Sequence, residues 1–218
     1  MPKPGMITGS VFNSCLTAKV GKVVMKQCCR IACERLGVRY LEEQFDLSGL
    51  RAIEWGNENE SLAIAAYEAD RFVEVHSKQV FLRVPGMMVG GTPDGLVGDD
   101  GMIEVKCPNS DNHLLNIIQS AQVDDYSPQI QSYIWIAEEA LGTRREWCDF
   151  ISFDPRFPEG LQMHVRRILR NEPVIAQIKS RAAEMEKIIT EMVTVAEGMC
   201  ISTNGVSKGE ISEMLFKQ

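Results

Sequence analysis

Two carboxylates and a lysine stand close together near the middle of this 218-residue sequence, in a pattern that suits metal-dependent chemistry. Asp94 follows a proline, and Glu104 and Lys106 are two residues apart. Two carboxylates that are held near each other repel, and burying them unpaired costs free energy, so a positive charge must share their site. Mg²⁺ or Mn²⁺ suits such oxygen ligands, and Lys106 beside the ion could orient an attacking water or help to deprotonate it.

A β-hairpin is the element that must bring these residues together. Residues 96–97 and 102–105 are predicted to form two short strands joined by a polar, glycine-flanked turn. Alternate side chains of a strand share a face. An odd loop, for instance Gly98–Asp100, would therefore place Asp94 opposite Glu104, whereas an even loop would put them on opposite faces. We predict an odd loop or a bulge.

The same residues carry a family resemblance. Pro93-Asp94 followed by Glu104-x-Lys106 resembles the signature of the PD-(D/E)xK nuclease superfamily. The longer runs PDGL and EVKCP are similar to those of the phage lambda exonuclease family, also described as YqaJ-type viral recombinases or alkaline exonucleases. The order of predicted elements agrees with the fold that this resemblance implies, an α/β restriction-endonuclease-like core with a mixed central β-sheet flanked by helices. We expect one nuclease domain over residues 1–218.

Two further segments resemble family motifs and add residues to the predicted site. A Trp-Gly-x-x-x-Glu run ends at Glu60 and resembles the segment that donates a third acid, which favours Glu60 over Glu54 and Glu58 on the same predicted helix. Gln129 and Tyr133 are four residues apart and so share a helix face. This spacing resembles a motif beside the metal site, in which Gln129 is catalytic and Tyr133 is supporting.

The resemblance also implies a set of metal ligands. Asp94, Glu104, Glu60 and the backbone carbonyl of Val105 are expected to hold one or two Mg²⁺ ions, with Mn²⁺ as the alternative. Lys106 is then expected to position or activate the attacking water.

The N-terminal segment is a candidate phosphate site. From the pattern alone, residues 6–16 are predicted to begin a helix with Thr8 or Ser10 as its cap. The Gly5–Ser10 run resembles the family segment in which an upstream basic residue and a serine bind the 5′-phosphate of DNA. By position these residues are Lys3 and Ser10, with lysine in place of the usual arginine. The alternative is that Ser10 only caps the helix.

Composition bounds the class of protein. With 44% hydrophobic and 24% charged residues, and no apolar run of 18, the sequence is typical of a globular protein without a membrane partner. Seven irregularly spaced cysteines indicate free thiols in a reducing cytoplasm. The family resemblance implies that this is the cytoplasm of a bacterium or of a phage-infected host cell. The net charge is −7, but residues 1–39 carry seven Lys or Arg and one acid, so phosphate contacts are expected near the N-terminus.

Hydrophobic periodicity predicts the remaining elements: helices at 23–36, 50–73, 127–141 and 172–197, and strands at 73–84, 147–153 and 161–168. On helix 50–73 the predicted buried residues are Leu62, Ala65, Ala66 and Ala69. The three histidines show no ligand spacing, and each is expected at the surface or in a loop.

The resemblance implies a specific function. It predicts a metal-dependent exonuclease that digests one strand of linear double-stranded DNA from a free 5′-phosphorylated end, in the 5′-to-3′ direction, to mononucleotides. The 3′ single-stranded tails would then serve phage-type recombination by strand annealing. A ring-shaped homotrimer and a single-strand annealing protein are the implied partners. Two alternatives are a restriction-like or repair endonuclease, which needs no DNA end, and a noncatalytic DNA-binding recombination scaffold, which needs no metal.

Overall fold

The computed structural model describes residues 4–16, 19–38, 47–119 and 123–201. Its helices are α1 (Phe12–Cys15), α2 (Lys22–Arg35), α3 (Leu47–Arg71), α4 (Ser110–Gln119), α5 (Val123–Leu141) and α6 (Glu172–Ile201). Its strands are β1 (Ile7–Thr8), β2 (Val75–His76), β3 (Leu82–Arg83), β4 (Val89–Gly91), β5 (Gly95–Val97), β6 (Gly101–Lys106), β7 (Trp147–Phe153) and β8 (Met163–Leu169).

A mixed five-stranded sheet of order β2-β5-β6-β7-β8 forms the centre of the fold. Strands β6 and β7 run parallel, and the other neighbours run antiparallel. A parallel pair needs a crossover, which α4 and α5 supply between these two strands. A smaller sheet of order β1-β4-β3 holds the N-terminal segment. The predicted α/β class, with a mixed sheet flanked by helices, is confirmed.

Both faces of β6 are covered by protein. Met102 faces the larger hydrophobic core, which includes residues of α2, α5 and α6. Ile103 and Val105 face a second core, to which α3 contributes Tyr67. Because side chains alternate along a strand, Glu104 lies on the Met102 face, where it is almost completely buried.

The β5–β6 hairpin has the predicted odd loop, made of Gly98, Asp99 and Asp100. Its register pairs Gly95 with Ile103, so the next step of the ladder brings Asp94 opposite Glu104. A three-residue hairpin loop is a common solution for two antiparallel strands. The number of loop residues therefore determines which acidic side chains lie opposite each other on one face of the hairpin.

Helix α3 runs without a break through Gly56, but its predicted buried side is wrong. Three residues that were expected inside are exposed: Leu62, Ala65 and Ala69. The residues that are buried instead are Ala63, Ile64 and Tyr67. Alanines are spread around this helix, so its sequence favours no face strongly. The tyrosine decides the orientation, because its hydroxyl donates to buried Asp149 Oδ2 at 2.8 Å.

The N-terminal prediction is also wrong in detail. Ile7 and Thr8 form a strand instead of a helix start, and the Ile7 N–H donates to the Met88 carbonyl at 2.9 Å. A 3-10 turn at Gly9–Val11 and the short helix α1 follow, and the Thr8 side chain makes no capping hydrogen bond. Pairing with β4 outweighs local capping here. The predicted strand 73–84 is likewise two short strands, separated by a turn with positive φ at residues 77 and 79.

Helix α4 places polar residues inward, contrary to the expectation for His113. His113 and Asn116 are fully buried, while Leu114 and Ile118 are exposed. The His113 Nδ1 atom lies 2.8 Å from the Ser152 Oγ atom, to which Asn116 Nδ2 donates at 3.0 Å. The buried hydroxyl at the end of β7 thus determines which side of α4 faces the sheet.

All six cysteines whose side chains the structure describes are free thiols, as predicted: Cys15, Cys28, Cys29, Cys33, Cys107 and Cys148. Among the described residues, no helix combines the length and apolar character needed to cross a membrane.

Candidate active site

Asp94 and Glu104 form the centre of the candidate site. Asp94 Oδ2 accepts the backbone N–H of Val105 at 2.6 Å. Glu104 Oε1 accepts two hydrogen bonds, from Lys106 Nζ at 2.6 Å and from Gln129 Nε2 at 2.7 Å. The other carboxylate oxygen, Glu104 Oε2, is buried and has no hydrogen-bond partner among the described residues. A buried charged oxygen without a partner indicates that a further positive group belongs here.

The electrostatics of the site agree with that conclusion. Burial raises the pKa of Asp94 well above its ordinary value, and the Glu104 charge adds to the effect. Burial also raises the pKa of Glu104, although Lys106 acts in the opposite direction. Burial alone would lower the pKa of the Lys106 ammonium, but Glu104 and Asp94 outweigh it and raise the pKa. Among the described residues, the site therefore holds one cation, Lys106, for two acids, and a further positive charge would stabilise it.

The oxygen ligands of this pair fit a hard divalent cation such as Mg²⁺ or Mn²⁺. Within the described ranges, no group of three or more His, Cys, Asp or Glu side chains is close enough together to form a complete metal site. Asp94 and Glu104 would therefore need backbone or water oxygens, or a shift of a third acid, to complete a coordination shell.

Glu60 on α3 lies near the pair without touching it. Its charge adds to the rise in the pKa of both Asp94 and Glu104, and its Oε1 accepts Gln79 Nε2 at 2.9 Å. Glu60 is half-buried, whereas the two other acids of this helix segment, Glu54 and Glu58, are exposed. Glu60 is therefore the least exposed of these three acids and acts electrostatically on the pair, and its role as a ligand stays a prediction.

Helix α5 places Gln129 between Glu104 and the N-terminal segment. The Gln129 amide oxygen accepts Asn13 Nδ2 at 3.0 Å, and the Gln129 backbone N–H donates to Asn13 Oδ1 at 2.9 Å. Pro128 lies inside this helix and has no N–H of its own, so regular helical bonding is weakened beside Gln129. Asn13 thereby fixes the direction in which the Gln129 amide points.

Sequence reasoning missed both Asn13 and Tyr126. Asn13 is 116 residues from Gln129 in the chain, and no local pattern connects them. The Nζ atom of Lys106 lies over the Tyr126 ring, 4.9 Å from its centroid. The same ring stacks on Phe150, with 5.6 Å between the two ring centroids. Its position three residues before Gln129 on one helix was a usable signal, because such residues share a face.

Tyr133 supports Gln129 through a hydrogen bond and through close packing. Its hydroxyl accepts Gln129 Nε2 at 3.2 Å. Its ring fits between Gly9 and Gly91, where a Cβ added at either glycine would collide with the ring. These two glycines let the N-terminal segment and β4 approach α5 closely. Tyr133 of α5 thus packs against both the N-terminal segment and β4, close to Gln129.

Ser10 is exposed in the 3-10 turn, three residues from Asn13, and its Oγ lies 3.2 Å from Thr8 Oγ1. It caps no helix in the described structure through its side chain. Lys3, the other predicted phosphate ligand, lies outside the described residues. Binding of a 5′-phosphate by Ser10 and Lys3 stays a prediction.

The fold resembles that of solved exonucleases. An alkaline exonuclease (LHK-Exo) from Laribacter hongkongensis matches with a TM-score of 0.77 and 27% identity, over 92% of this chain and 95% of that chain. The structure of LHK-Exo in complex with dAMP matches with a TM-score of 0.72 and 29% identity, over 90% and 96% of the two chains. A phage related exonuclease from Haemophilus somnus 129PT, at 16% identity and a TM-score of 0.69 over 88% and 96%, shares the fold.

No curated protein sequence matches this chain. The model of the YqaJ-like viral recombinase domain matches residues 3–140, a span that is more than half of the chain and contains all the predicted site residues. The protein belongs to the YqaJ-like viral recombinase domain family, as the resemblance predicted.

Proposed function

We propose that this protein is a metal-dependent 5′-to-3′ exonuclease that digests one strand of linear double-stranded DNA. The observation that carries the proposal is the pair of half-buried Asp94 and buried Glu104 with Lys106 beside it, in which Glu104 Oε2 has no hydrogen-bond partner among the described residues. Membership of the family and likeness to an alkaline exonuclease support hydrolysis of phosphodiesters. The complex of that relative with dAMP supports a nucleoside monophosphate as the product.

Asp94, Glu104 and the Val105 carbonyl would hold Mg²⁺, or Mn²⁺, with Glu60 as a further acid. The Val105 N–H points to Asp94, and the N–H and C=O of one strand residue point to the same edge, so this carbonyl lies on the Asp94 side. When bound, the ion lowers the pKa of water and neutralises the charge that develops on the phosphate.

The protein's own residues orient the reaction. Lys106 is protonated in this environment, and its N–H groups can hold the attacking water against the phosphate. Gln129 fixes Glu104 Oε1 from the opposite side, so the carboxylate keeps one orientation. The water oxygen forms a bond to phosphorus and loses a proton to solvent, while the bond from phosphorus to the 3′ oxygen of the terminal nucleotide breaks. That oxygen takes up a proton as the mononucleotide leaves.

Each cut leaves a new 5′-phosphate on the shortened strand, which the next cycle can bind. We propose that Ser10 and Lys3 bind this group at the 5′-phosphorylated end. A ring-shaped homotrimer around the duplex would keep the enzyme on its substrate between cuts. The 3′ single-stranded tail would pass to a single-strand annealing protein for recombination.

The test is release of acid-soluble nucleotides from linear duplex DNA with a 5′-phosphate or a 5′-hydroxyl, and from a closed circle, in Mg²⁺ or EDTA. We expect Mg²⁺-dependent digestion of the 5′-phosphorylated linear DNA alone. Lys106→Met should slow this digestion by about 10²- to 10³-fold, while Lys187→Met, at an exposed position on α6, should leave it unchanged. Cutting of circles would instead indicate an endonuclease. DNA binding without digestion in any metal would indicate a noncatalytic scaffold.

A further inference from the structure

A second group of polar residues lies at the end of β7, outside the acid pair. Asp154 directly follows this strand and is fully buried. Its Oδ1 accepts the backbone N–H and the Nε of Arg156, at 3.0 and 2.8 Å, and its Oδ2 accepts Arg156 Nη2 and Ser110 Oγ, both at 2.8 Å. The Arg156 hydrogen bonds lower the pKa of Asp154 to about 2. Asp154 is thus a charged and fully paired anchor for Arg156.

Arg156 is also held by an aromatic ring. Its guanidinium carbon lies 4.2 Å from the centroid of Trp55 on α3. Its side chain is nevertheless 52% exposed. Asp154 uses Nε and Nη2, and in the described part of the chain no acceptor is bonded to Nη1. A rigidly held guanidinium with donors that face solvent is a group that suits phosphate oxygens.

The position of Arg156 relates it to the acid pair. Strands β6 and β7 are parallel, and Lys106 is paired with Ser152, so Asp154 lies two residues beyond Lys106 at the same edge of the sheet. Asp154, and with it Arg156, therefore lies at the end of the sheet that carries the acid pair.

Helix α3 connects the two groups from the other side. It carries both Trp55 and Glu60, which are about 7.5 Å apart along the helix axis at 1.5 Å per residue. The acids at this end of the sheet repel DNA phosphates, so a fixed cation beside them would help to bind the DNA backbone.

We propose that Arg156 binds a backbone phosphate of the digested strand next to the cleavage position and so positions the substrate for cleavage. This inference rests on the proposed nuclease function. It concerns substrate binding and not the bond-breaking step, so it is tested by DNA affinity in the absence of metal as well as by kinetics.

The chain offers a matched control for Arg156. Arg167 is bound by both oxygens of buried Asp149 at 2.8 Å, lies 3.6 Å from the Trp147 ring centroid and has a side chain that is 50% exposed. Asp149 is five residues before Asp154 on the chain, roughly 17 Å along an extended strand. Arg167 is thus held by a buried aspartate and a tryptophan ring, as Arg156 is, but lies far from the end of β6 and β7 that carries Lys106 and Asp154.

The experiment compares Arg156→Gln and Arg156→Lys with Arg167→Gln. Affinity for a 5′-phosphorylated duplex in EDTA is measured by fluorescence anisotropy over a range of salt concentrations, and kcat and KM are measured in Mg²⁺. We expect Arg156→Gln to weaken binding about tenfold and to reduce the slope of log K against log salt by about 1. KM should rise with little change in kcat. Arg156→Lys keeps a positive charge beside buried Asp154 and should restore part of the affinity. It also keeps the experiment informative if Arg156→Gln does not fold.

Arg167→Gln should leave affinity, salt slope and KM unchanged. Unchanged affinity and slope in folded Arg156→Gln would overturn the inference, as would an equal loss of affinity in Arg167→Gln. If the wild type binds DNA through Arg156 but digests none in any metal, the nuclease proposal fails while the phosphate contact stands.

Discussion

The acid pair should destabilise the protein when no metal is bound, and Asp94→Asn measures that cost. Asparagine keeps an oxygen that can accept the Val105 N–H, which now donates to Asp94 at 2.6 Å. It removes the negative charge that faces Glu104 across the hairpin. We therefore expect Asp94→Asn to abolish nuclease activity and to stabilise the metal-free protein.

The size of the gain follows from the hairpin geometry. Opposed residues of an antiparallel ladder have Cβ atoms about 5 Å apart, and two unit charges at about that distance repel by about 3 kcal/mol at an effective dielectric constant of about 20. The attraction of Asp94 to Lys106 is lost as well and offsets part of this. A net gain of about 1–2 kcal/mol is expected, which raises the Tm by about 2–8 °C for a chain of this size.

The gain should depend on pH. Burial, and next the Glu104 charge, raise the pKa of Asp94 above its unfolded value of about 3.9, so the folded protein binds a proton more tightly than the unfolded chain. Wild-type stability from this group therefore falls as the pH rises from about 4 through the folded-state pKa. The variant lacks this loss, so its advantage should be small near about pH 4 and largest above that pKa.

The assay is urea unfolding followed by circular dichroism, in EDTA and in Mg²⁺, over a range of pH. Mg²⁺, which we propose binds the folded wild type, should stabilise it by mass action, whereas Asp94→Asn should gain much less. Asp99→Asn, in the exposed hairpin turn, makes the same chemical change away from the pair and serves as the control. A metal-free Asp94→Asn protein less stable than wild type, or one that gains as much from Mg²⁺, would refute this account.

Three other variants test separate parts of the site. Lys106→Met should lower kcat by about 10²- to 10³-fold while DNA binding in EDTA persists, and a smaller loss would exclude Lys106 from the reaction step. Asn13→Ala should lower kcat by about 10- to 100-fold because the Gln129 amide loses its orientation, with little change in KM; normal kcat would contradict that role. Gly91→Ala should destabilise the fold by about 1–3 kcal/mol in urea unfolding, because its Cβ meets the Tyr133 ring, and unchanged stability would disprove that packing.

Local geometry explains why the centre of the site could be predicted from sequence. Side chains alternate along a strand, so the two-residue spacing of Glu104 and Lys106 fixes a shared face. The odd loop then brings Asp94 to the same position, which the register of the hairpin confirms. Each of these steps depends only on residues that are close in the chain. Family resemblance added Glu60, which periodicity alone could not separate from the other acids of its helix.

Contacts between distant segments could not be predicted in the same way. Asn13 reaches Gln129 only because the N-terminal segment pairs with β4 and packs against Tyr133, and each of these contacts is tertiary. On α4, the rule that apolar residues face inward fails because His113 turns inward to the buried hydroxyl of Ser152. Satisfying that polar group outweighs burying the leucines of a short helix.

Two aspartates at the same edge of the sheet show what separates a supporting acid from a reactive one. Asp154 is fully buried, yet the Arg156 hydrogen bonds lower its pKa to about 2, because four donors stabilise its charge. Asp94 accepts one strong backbone hydrogen bond and faces another carboxylate, so burial raises its pKa. The first acid needs nothing more, whereas for the second the Val105 N–H and Lys106 do not offset burial and the Glu104 charge, so an added cation would stabilise it further. The same imbalance that destabilises the empty site therefore supplies the free energy with which it would bind a metal ion.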